Sequence, residues 1–460
     1  MADRIKMRER APGERNKDFK EVNLGYSPEM AQAEAKRCIQ CKKPLCVDGC
    51  PVEINIPGFI KAIADGDMNK AAEILKDKNN LPAVCGRVCP QEEQCELKCI
   101  LGNKSQPVAI GYLERYTADW EQINQQLAIS NRQLVKNNSI KVAVVGSGPA
   151  GLTAAGDLSK MGYDVTIFES LHEPGGVLRY GIPGFRLPAA VLDYELYNLS
   201  KLGVKTCLNC LVGRTKSVED LLKEGFKSIF IGTGAGLPNF MNIPGENLNH
   251  LYSANEFLVR VNLMRGFEFP EYDTPVWIGE KVAVIGGGNT AMDAARTSLR
   301  LGAKEVTLVY RRSREEMPAR VEEAHHAEEE GIKFMMLTAP VRFTGDEKGF
   351  IKEMECVKME LGEPDESGRR RPKVIQGSNF KMPVDMVIMA IGLSPNPILP
   401  SLTKGLERDS AGHLIIDDKF MTTLPGVFAG GDIVGGETVI QAMGMGKRAA
   451  RYIDEFLKSR

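Results

Sequence analysis

Eight of the 11 cysteines fall between Cys38 and Cys99, in two blocks. The first runs Cys38-x2-Cys41-x4-Cys46-x3-Cys50-Pro51, and the second Cys85-x3-Cys89-Pro90-x4-Cys95-x3-Cys99. Thiolates this close on short loops can converge from one side on a soft metal centre, as an iron–sulfur cube requires. Zinc is the competing occupant, because C-x2-C pairs also suit it. The second block lacks C-x2-C, and none of the five histidines lies near either block. Iron–sulfur chemistry is therefore favoured, and two blocks suggest two clusters. A further pair, Cys207 and Cys210, invites a redox disulfide reading. Val204 to Val212 reads as a strand, however, where positions i and i+3 face opposite ways, so no disulfide is expected.

The second kind of chemistry is nucleotide binding. An apolar run, Val142 to Val145, leads into Gly146, Gly148 and Gly151 in G-x-G-x-x-G spacing. A helical pattern follows, then a second apolar run, Val165 to Phe168, ending in Glu169. In such a βαβ unit the first glycine makes the turn, the second admits a pyrophosphate and the third lets helix lie on strand. The helix N-terminus offers free N–H groups to the phosphates. Glu169, 23 residues after Gly146, suits a ribose hydroxyl and hence an unphosphorylated ribose, as in FAD or NAD.

The theme returns 140 residues later. Val282 to Ile285 precedes Gly286, Gly288 and Ala291, with Asn289 and Thr290 between the last two, a helix to Leu301 and a strand Val306 to Tyr310. Here the second strand ends in Arg311 and Arg312. Guanidinium groups at that place suit a 2′-phosphate and point to NADP(H). One unit with an acid and one with arginines is the logic of a flavoprotein that exchanges hydride with a nicotinamide cofactor.

Other stretches must position these groups. Gly175 and Gly176 would let backbone lie against a flat ligand. Ser228 to Gly236, Val384 to Gly392 and Val427 to Gly436 read as buried strands ending in glycine turns. Asp432, after Gly430 and Gly431, could hydrogen-bond a flavin ribitol, and a helix from Thr438 to Leu457 could aim its positive end at the flavin ring. Pro28 to Arg37, Ile56 to Lys76 and Val108 to Ile129 have helical spacing, with a polar linker at Asn137–Ser139. Residues 1–30 show little periodicity, 251–280 read as a connector, and Lys333 to Val374 reads as β-rich.

Hydrophobic content of 43% and charged content of 26% are those of a soluble globular protein. A net charge of −1 gives nucleic-acid binding no bulk support. There is no apolar run of about 18 residues and no signal-peptide core, so no membrane partner and a cytoplasmic location are expected.

Taken together, the cysteine blocks, GSGPAGL, GGVLRYGIP, GGGNTAMDAAR with VYRRSREEMPAR, and AGGDIVGG resemble the glutamate synthase small (beta) subunit family. Its relatives include the large subunit of electron-bifurcating NADH-dependent ferredoxin:NADP oxidoreductase and the N-terminal part of dihydropyrimidine dehydrogenase. The resemblance covers nearly the whole chain. It implies an α/β protein with an N-terminal helical Fe–S domain followed by two Rossmann-like domains, the second inserted in the first. The implied boundaries are 1–130 for two [4Fe–4S] clusters, 131–250 and 394–460 for FAD, and 251–393 for NADP(H).

Carried over, Cys38, Cys41, Cys46 and Cys99 would hold one cluster. Cys50, Cys89 and Cys95 would hold the other, with Glu114 as fourth ligand and Cys85 spare. Gly176, Arg179, Gly431, Asp432 and Thr438 would serve the FAD, and Gly392 would lie near the nicotinamide. No side chain need act as acid, base or nucleophile. The implied role is an FAD and iron–sulfur NADP(H) oxidoreductase subunit of a hetero-oligomer. Its partner would be a smaller flavin and [2Fe–2S] subunit or the glutamate synthase large subunit, with ferredoxin as a further acceptor. An electron-bifurcating transhydrogenase is favoured, the NADPH-oxidising glutamate synthase small subunit is the alternative, and a cluster-bearing docking module is a further one. A stand-alone disulfide reductase is disfavoured.

Overall fold

In the computed structural model, residues 3–124, 139–365 and 368–459 are described. The strand Lys141–Val145, buried after its first residue, is the middle of a five-stranded parallel sheet. The sheet order is Val427–Ala429, Phe226–Ile231, Lys141–Val145, Asp164–Phe168, Lys205–Cys207. A second parallel sheet runs Lys333–Met335, Glu305–Val309, Lys281–Ile285, Met386–Met389, Leu251–Ser253. Every strand of the second sheet lies, in the chain, between two neighbouring strands of the first. The second nucleotide domain is thus inserted in the first. The crossing points, Ala235–Pro238 and Leu393–Pro395, pair antiparallel as a two-stranded link.

Behind the second sheet stands an antiparallel layer in which Ile351–Pro364 pairs with Thr338–Gly345, Arg370–Val374 and Phe380–Pro383. This is the β-rich stretch expected from 333 to 374, continued by one strand.

The N-terminal domain is helical. The pattern from Ile56 to Lys76 divides into two helices, Ile56–Asp65 and Met68–Lys78. Gly66 stops the first with φ +84°, a left-handed conformation open to glycine, and the Asp67 side chain caps the second through the Lys70 N–H. Helices Pro82–Val88 and Ile110–Asn124 complete the bundle. The expected helix from Val108 thus begins at Ile110. Its continuation to Ile129, and the linker residues Asn137 and Asn138, lie outside the described residues.

This bundle shares one apolar core with the first nucleotide domain: Phe59, Leu81 and Val84 pack in the same cluster as Leu152, Leu158, Met443 and Ile453. The second nucleotide domain has cores of its own, around Met292 and Leu308 and around Phe343 and Met354. A buried polar joint reinforces the first union. Asp157 accepts from Asn80 Nδ2 at 2.8 Å and pairs with Lys447 Nζ at 2.9 Å.

Within residues 3–30, where little periodicity is expected, stand the two short strands Arg8–Glu9 and Asn23–Gly25. Buried Arg15 reaches Glu330 at 3.0 Å, an ionic anchor that leaves no apolar periodicity. Two expectations, for 251–280 and for Val204 to Val212, need correction. The stretch 251–280 is not merely a connector, because Leu251–Ser253 is an edge strand of the second sheet. The strand expected from Val204 to Val212 ends at Cys207, since Asn209 takes φ +56°. Cys207 is exposed and Cys210 buried in the following loop, both as free thiols. No helix among the described residues is long and apolar enough to cross a membrane.

Candidate functional site

Both glycine turns open onto one cleft of about 1180 Å³, above the ~300–1,000 Å³ usual for a single ligand pocket. Gly146, Gly148 and Glu169 line it from the first unit, and Gly286, Gly288, Asn289, Thr290, Arg311 and Arg312 from the second. Gly176, Gly392, Gly431, Asp432 and Thr438 also line it.

The local reasons differ from residue to residue. Helices Pro149–Lys160 and Asn289–Arg300 start at Gly148 and Gly288, and no side chain caps either N-terminus. Their first-turn N–H groups stay available to phosphate oxygens. Gly151 faces away from the cleft: a Cβ there would stand 2.0 Å from the Gly146 carbonyl oxygen, so it is the contact of helix on strand. Thr438 is occupied as a cap, accepting from the Gln441 N–H at 3.3 Å at the head of helix Val439–Lys458. Val439 and Ala442 of that helix's first turn line the cleft.

Glu169 accepts from the Ser147 N–H at 2.9 Å, the Ser147 hydroxyl and the Leu171 N–H at 2.8 Å. The same hydroxyl accepts from Gly175 N at 2.9 Å, so Ser147 ties the acid to the paired glycines. Burial pushes the Asp432 carboxyl up to about 6. Burial, then the charges of Asp432 and Glu169, push the Tyr180 phenol up to about 12. Ser147 and Tyr180 both lie inside the quoted motifs, but only the fold shows that they face the cleft.

The thiols form two groups. Cys38, Cys41, Cys46 and Cys99 line a small cavity of about 30 Å³ walled by Ile56, Ile60, Leu101 and Val108. Burial, then the neighbouring sulfurs of Cys38, Cys99 and Cys41, push the Cys46 thiol up to about 12. Sulfurs crowded on one point raise one another in this way, and a cationic centre between them removes the penalty. The residues present therefore fit an iron–sulfur centre.

Cys50, Cys89 and Cys95 are buried and feel the charge of Glu114. Glu114 is 5% exposed, and burial, with Glu195 adding to it, pushes its carboxyl up to about 8. Asn79 Nδ2 donates to it at 2.8 Å, and among the described residues no lysine or arginine pairs with it. A buried carboxylate without a counter-cation also fits a metal ligand. Cys85 sits beside Cys89 and donates from Sγ to Met443 Sδ at 3.5 Å. Val88 and Pro90, the residues flanking Cys89, line the large cleft. The second thiol group therefore abuts the nucleotide cleft directly, which the spacing of the cysteines does not reveal.

Two expected cofactor contacts are engaged by protein partners. Arg179 does not line the cleft; it pairs with Glu173 at 3.2 Å and with Asp193 on the neighbouring helix. Arg312 reaches the cleft wall with its guanidinium already committed, donating from Nε to the Arg370 carbonyl at 2.9 Å and pairing with Asp365.

The order of the two kinds of domain is that of known families. Residues 15–126 match the family described as dihydropyrimidine dehydrogenase domain II, 4Fe-4S cluster. Residues 140–446 match the pyridine nucleotide-disulphide oxidoreductase family. The chain is 37% identical to the glutamate synthase [NADPH] small chain of Halomonas elongata, over 96% of this chain and 94% of that one. It is 40% identical to the NADP(+)-dependent formate dehydrogenase subunit beta of Moorella thermoacetica, over 90% of this chain and 60% of that longer protein. Mycobacterium tuberculosis FprA in complex with NADPH shares the fold, with TM-score 0.58 and 21% identity over 70% of this chain and 85% of FprA. The chain belongs to the glutamate synthase small-chain family, and is an FAD- and NADP(H)-dependent iron–sulfur oxidoreductase.

Proposed function

We propose that this chain is the NADP(H)-facing subunit of a larger redox complex and passes electrons between the nicotinamide and a partner subunit through two [4Fe–4S] clusters. The observation that carries this reading is the position of Val88 and Pro90: the residues flanking Cys89 form part of the wall of the cleft onto which both glycine turns open. FAD bound there supplies the change from two-electron hydride exchange to single-electron transfer.

The chain's own residues bind, orient and seal. The uncapped helix at Gly148 and the acid Glu169 hold the flavin nucleotide, and the uncapped helix at Gly288 holds the nicotinamide nucleotide. Cys38, Cys41, Cys46 and Cys99 hold one cluster. Cys50, Cys89, Cys95 and Glu114 hold the other, where the harder carboxylate tunes its potential. Eight cysteines crowded into two blocks that suit metal centres rather than disulfides support a cytoplasmic setting.

The face around the first thiol group supports an exit to a partner. Ile39, Leu45, Leu97 and Ile100 are exposed there. Lys42, Lys43, Lys98 and Lys104 stand exposed among them. An apolar centre with a cationic rim suits an acidic protein face. The relatives named above are subunits of NADPH- or NADP-linked enzymes, which supports a hetero-oligomer.

The test is anaerobic. The purified chain should hold iron and sulfide for two cubes, and NADPH should reduce flavin and clusters together. Zinc in place of iron would sink the proposal. Bifurcation is the finer form of this reading. It requires that NADPH reduce a low-potential acceptor only when a high-potential acceptor is reduced at the same time. Simple one-acceptor turnover with the complete complex would reduce the role to that of the glutamate synthase small subunit.

A further inference from the structure

The chain crosses between its two nucleotide domains at Ala235–Pro238 and Leu393–Pro395, a two-stranded link. Such a link leaves domains free to hinge unless other contacts hold them. Residues 180–186 of the first domain supply those contacts, and Tyr180, Ile182 and Arg186 among them line the cleft. At one end the Tyr180 carbonyl accepts from Asn262 Nδ2 of the second domain at 3.0 Å. At the other end Arg186 Nη1 donates to both oxygens of Asp293, at 2.8 and 2.7 Å, and Nε stands 3.0 Å from Glu323. Arg186, Asp293 and Glu323 are all buried. The Phe185 ring lies against the guanidinium groups of Arg296 and Arg300, 4.7 and 3.9 Å from its centroid. Asp293, Arg296 and Arg300 belong to helix Asn289–Arg300, the helix that starts uncapped at Gly288.

We infer that Arg186 is a positioning residue for hydride exchange: through Asp293 and Glu323 it holds the nucleotide-facing helix of the second domain at a fixed distance from the flavin side of the cleft. This rests on the assignment of the second glycine turn to the nicotinamide nucleotide. Arg186 is saturated by two carboxylates, so it acts through the helix and not on the cofactor. Swinging the domains apart would strand Arg186 and Asp293 as buried, unpaired charges. The planar fork also fixes direction, because Nη1 and Nε must meet carboxylates on two different helices at once. Asp293 stands about one turn behind Gly288, so a shift of this contact moves the phosphate seat and the nicotinamide with it. Hydride passes only when the reacting atoms are held at ~3–3.5 Å, and misplacement by ~1 Å is expensive in rate.

The experiment uses the cluster- and flavin-loaded protein and two variants. Arg186→Lys keeps the charge and loses the fork. Arg186→Met combined with Asp293→Asn removes both charges at similar volume, and Glu323 keeps its pair with Arg296. Three readouts are taken: the limiting rate at which NADPH, giving up one hydride and leaving NADP+, reduces the flavin; the charge-transfer absorbance when NADP+ is added to reduced protein; and calorimetry with 2′,5′-ADP, which lacks the nicotinamide. Both variants should lose roughly tenfold to a hundredfold in the limiting rate and much of the charge-transfer band, while 2′,5′-ADP binds as in wild type. The double variant decides if the two differ. A wild-type rate and absorbance there overturn the inference, and so does an equal weakening of 2′,5′-ADP, which would assign the pair to the folding of the second domain. Unchanged 2′,5′-ADP binding in Gly288→Asp would instead overturn the assignment of the second glycine turn beneath it.

Discussion

Asn79 donates from Nδ2 to Oε1 of Glu114 at 2.8 Å, and its own Oδ1 accepts the Leu81 N–H at 2.8 Å. The second bond fixes which way the amide points, so one carboxylate oxygen is held and Glu114 is aimed among Cys50, Cys89 and Cys95. Glu114→Ala should therefore cost one cluster and spare the other, read as a fall to half the iron with one of two reduced-cluster EPR signals retained. Asn79→Ala should keep the full iron content and shift the signal of that one cluster alone. Loss of both clusters in Glu114→Ala would contradict the assignment of two separate ligand groups.

Arg320 joins the second nucleotide domain to the Fe–S domain. Its guanidinium donates to the Arg87 carbonyl at 3.0 Å, to Gln91 at 3.1 Å and to Glu92 at 3.3 Å, while its backbone N–H donates to Asn289 Oδ1 at 3.0 Å. One residue thus ties the loop before Cys95 to the first residue of the nucleotide-facing helix. Arg320→Ala leaves buried acceptors unpaired, at a cost of roughly 3 kcal/mol. A lower melting temperature and a raised KM for NADPH should appear together, with iron content kept. A melting temperature equal to wild type would show that the joint is not held here.

The parts of the site that were legible in the sequence are those set by near neighbours. Gly146, Gly148 and Gly151 act within one turn of helix, and the order strand, helix, strand around them is a local pattern. The commitment of Arg312 was not legible because Asp365 lies 53 residues away. The seat of Arg320 on Gln91, across 229 residues, hid for the same reason. The stretch around Arg15 gave little periodic signal because an ion pair with Glu330 anchors it, and an ion pair leaves no stripe. The Cys207 strand was read too long because Asn209 looks ordinary until its left-handed φ is seen.

Glu323 gives the fold an acid limit. Burial alone would raise its carboxyl, but Arg186 at 3.0 Å and Arg296 outweigh burial and hold it down to about 2, against an ordinary 4.5. A carboxylate lowered on folding stabilises the protein fully above 4.5, and the contribution fades as pH falls toward 2. The shift corresponds to about 3 kcal/mol. Glu323→Gln should lower the melting temperature at neutral pH, and the gap from wild type should close below pH 4.5. The paired comparison cancels acid damage common to both proteins. A gap independent of pH would assign the loss to packing rather than charge.

The lysine rim around Cys38, Cys41, Cys46 and Cys99 predicts salt-sensitive electron transfer. Lys42, Lys43 and Lys98 are exposed beside Ile39, Leu45 and Leu97. Exposed charges steer encounter more than they stabilise a complex, and a Debye length of ~8 Å at physiological salt limits their reach. Replacing all three with glutamate should slow NADPH-driven reduction of an acidic two-cluster ferredoxin by roughly tenfold or more at low salt. Added salt should narrow the difference, because it screens the attraction in wild type and the repulsion in the variant alike. Reduction of a small neutral quinone should be unchanged, which isolates docking from hydride exchange in the cleft. Equal ferredoxin rates for both proteins at every salt concentration would move the exit face elsewhere on the molecule.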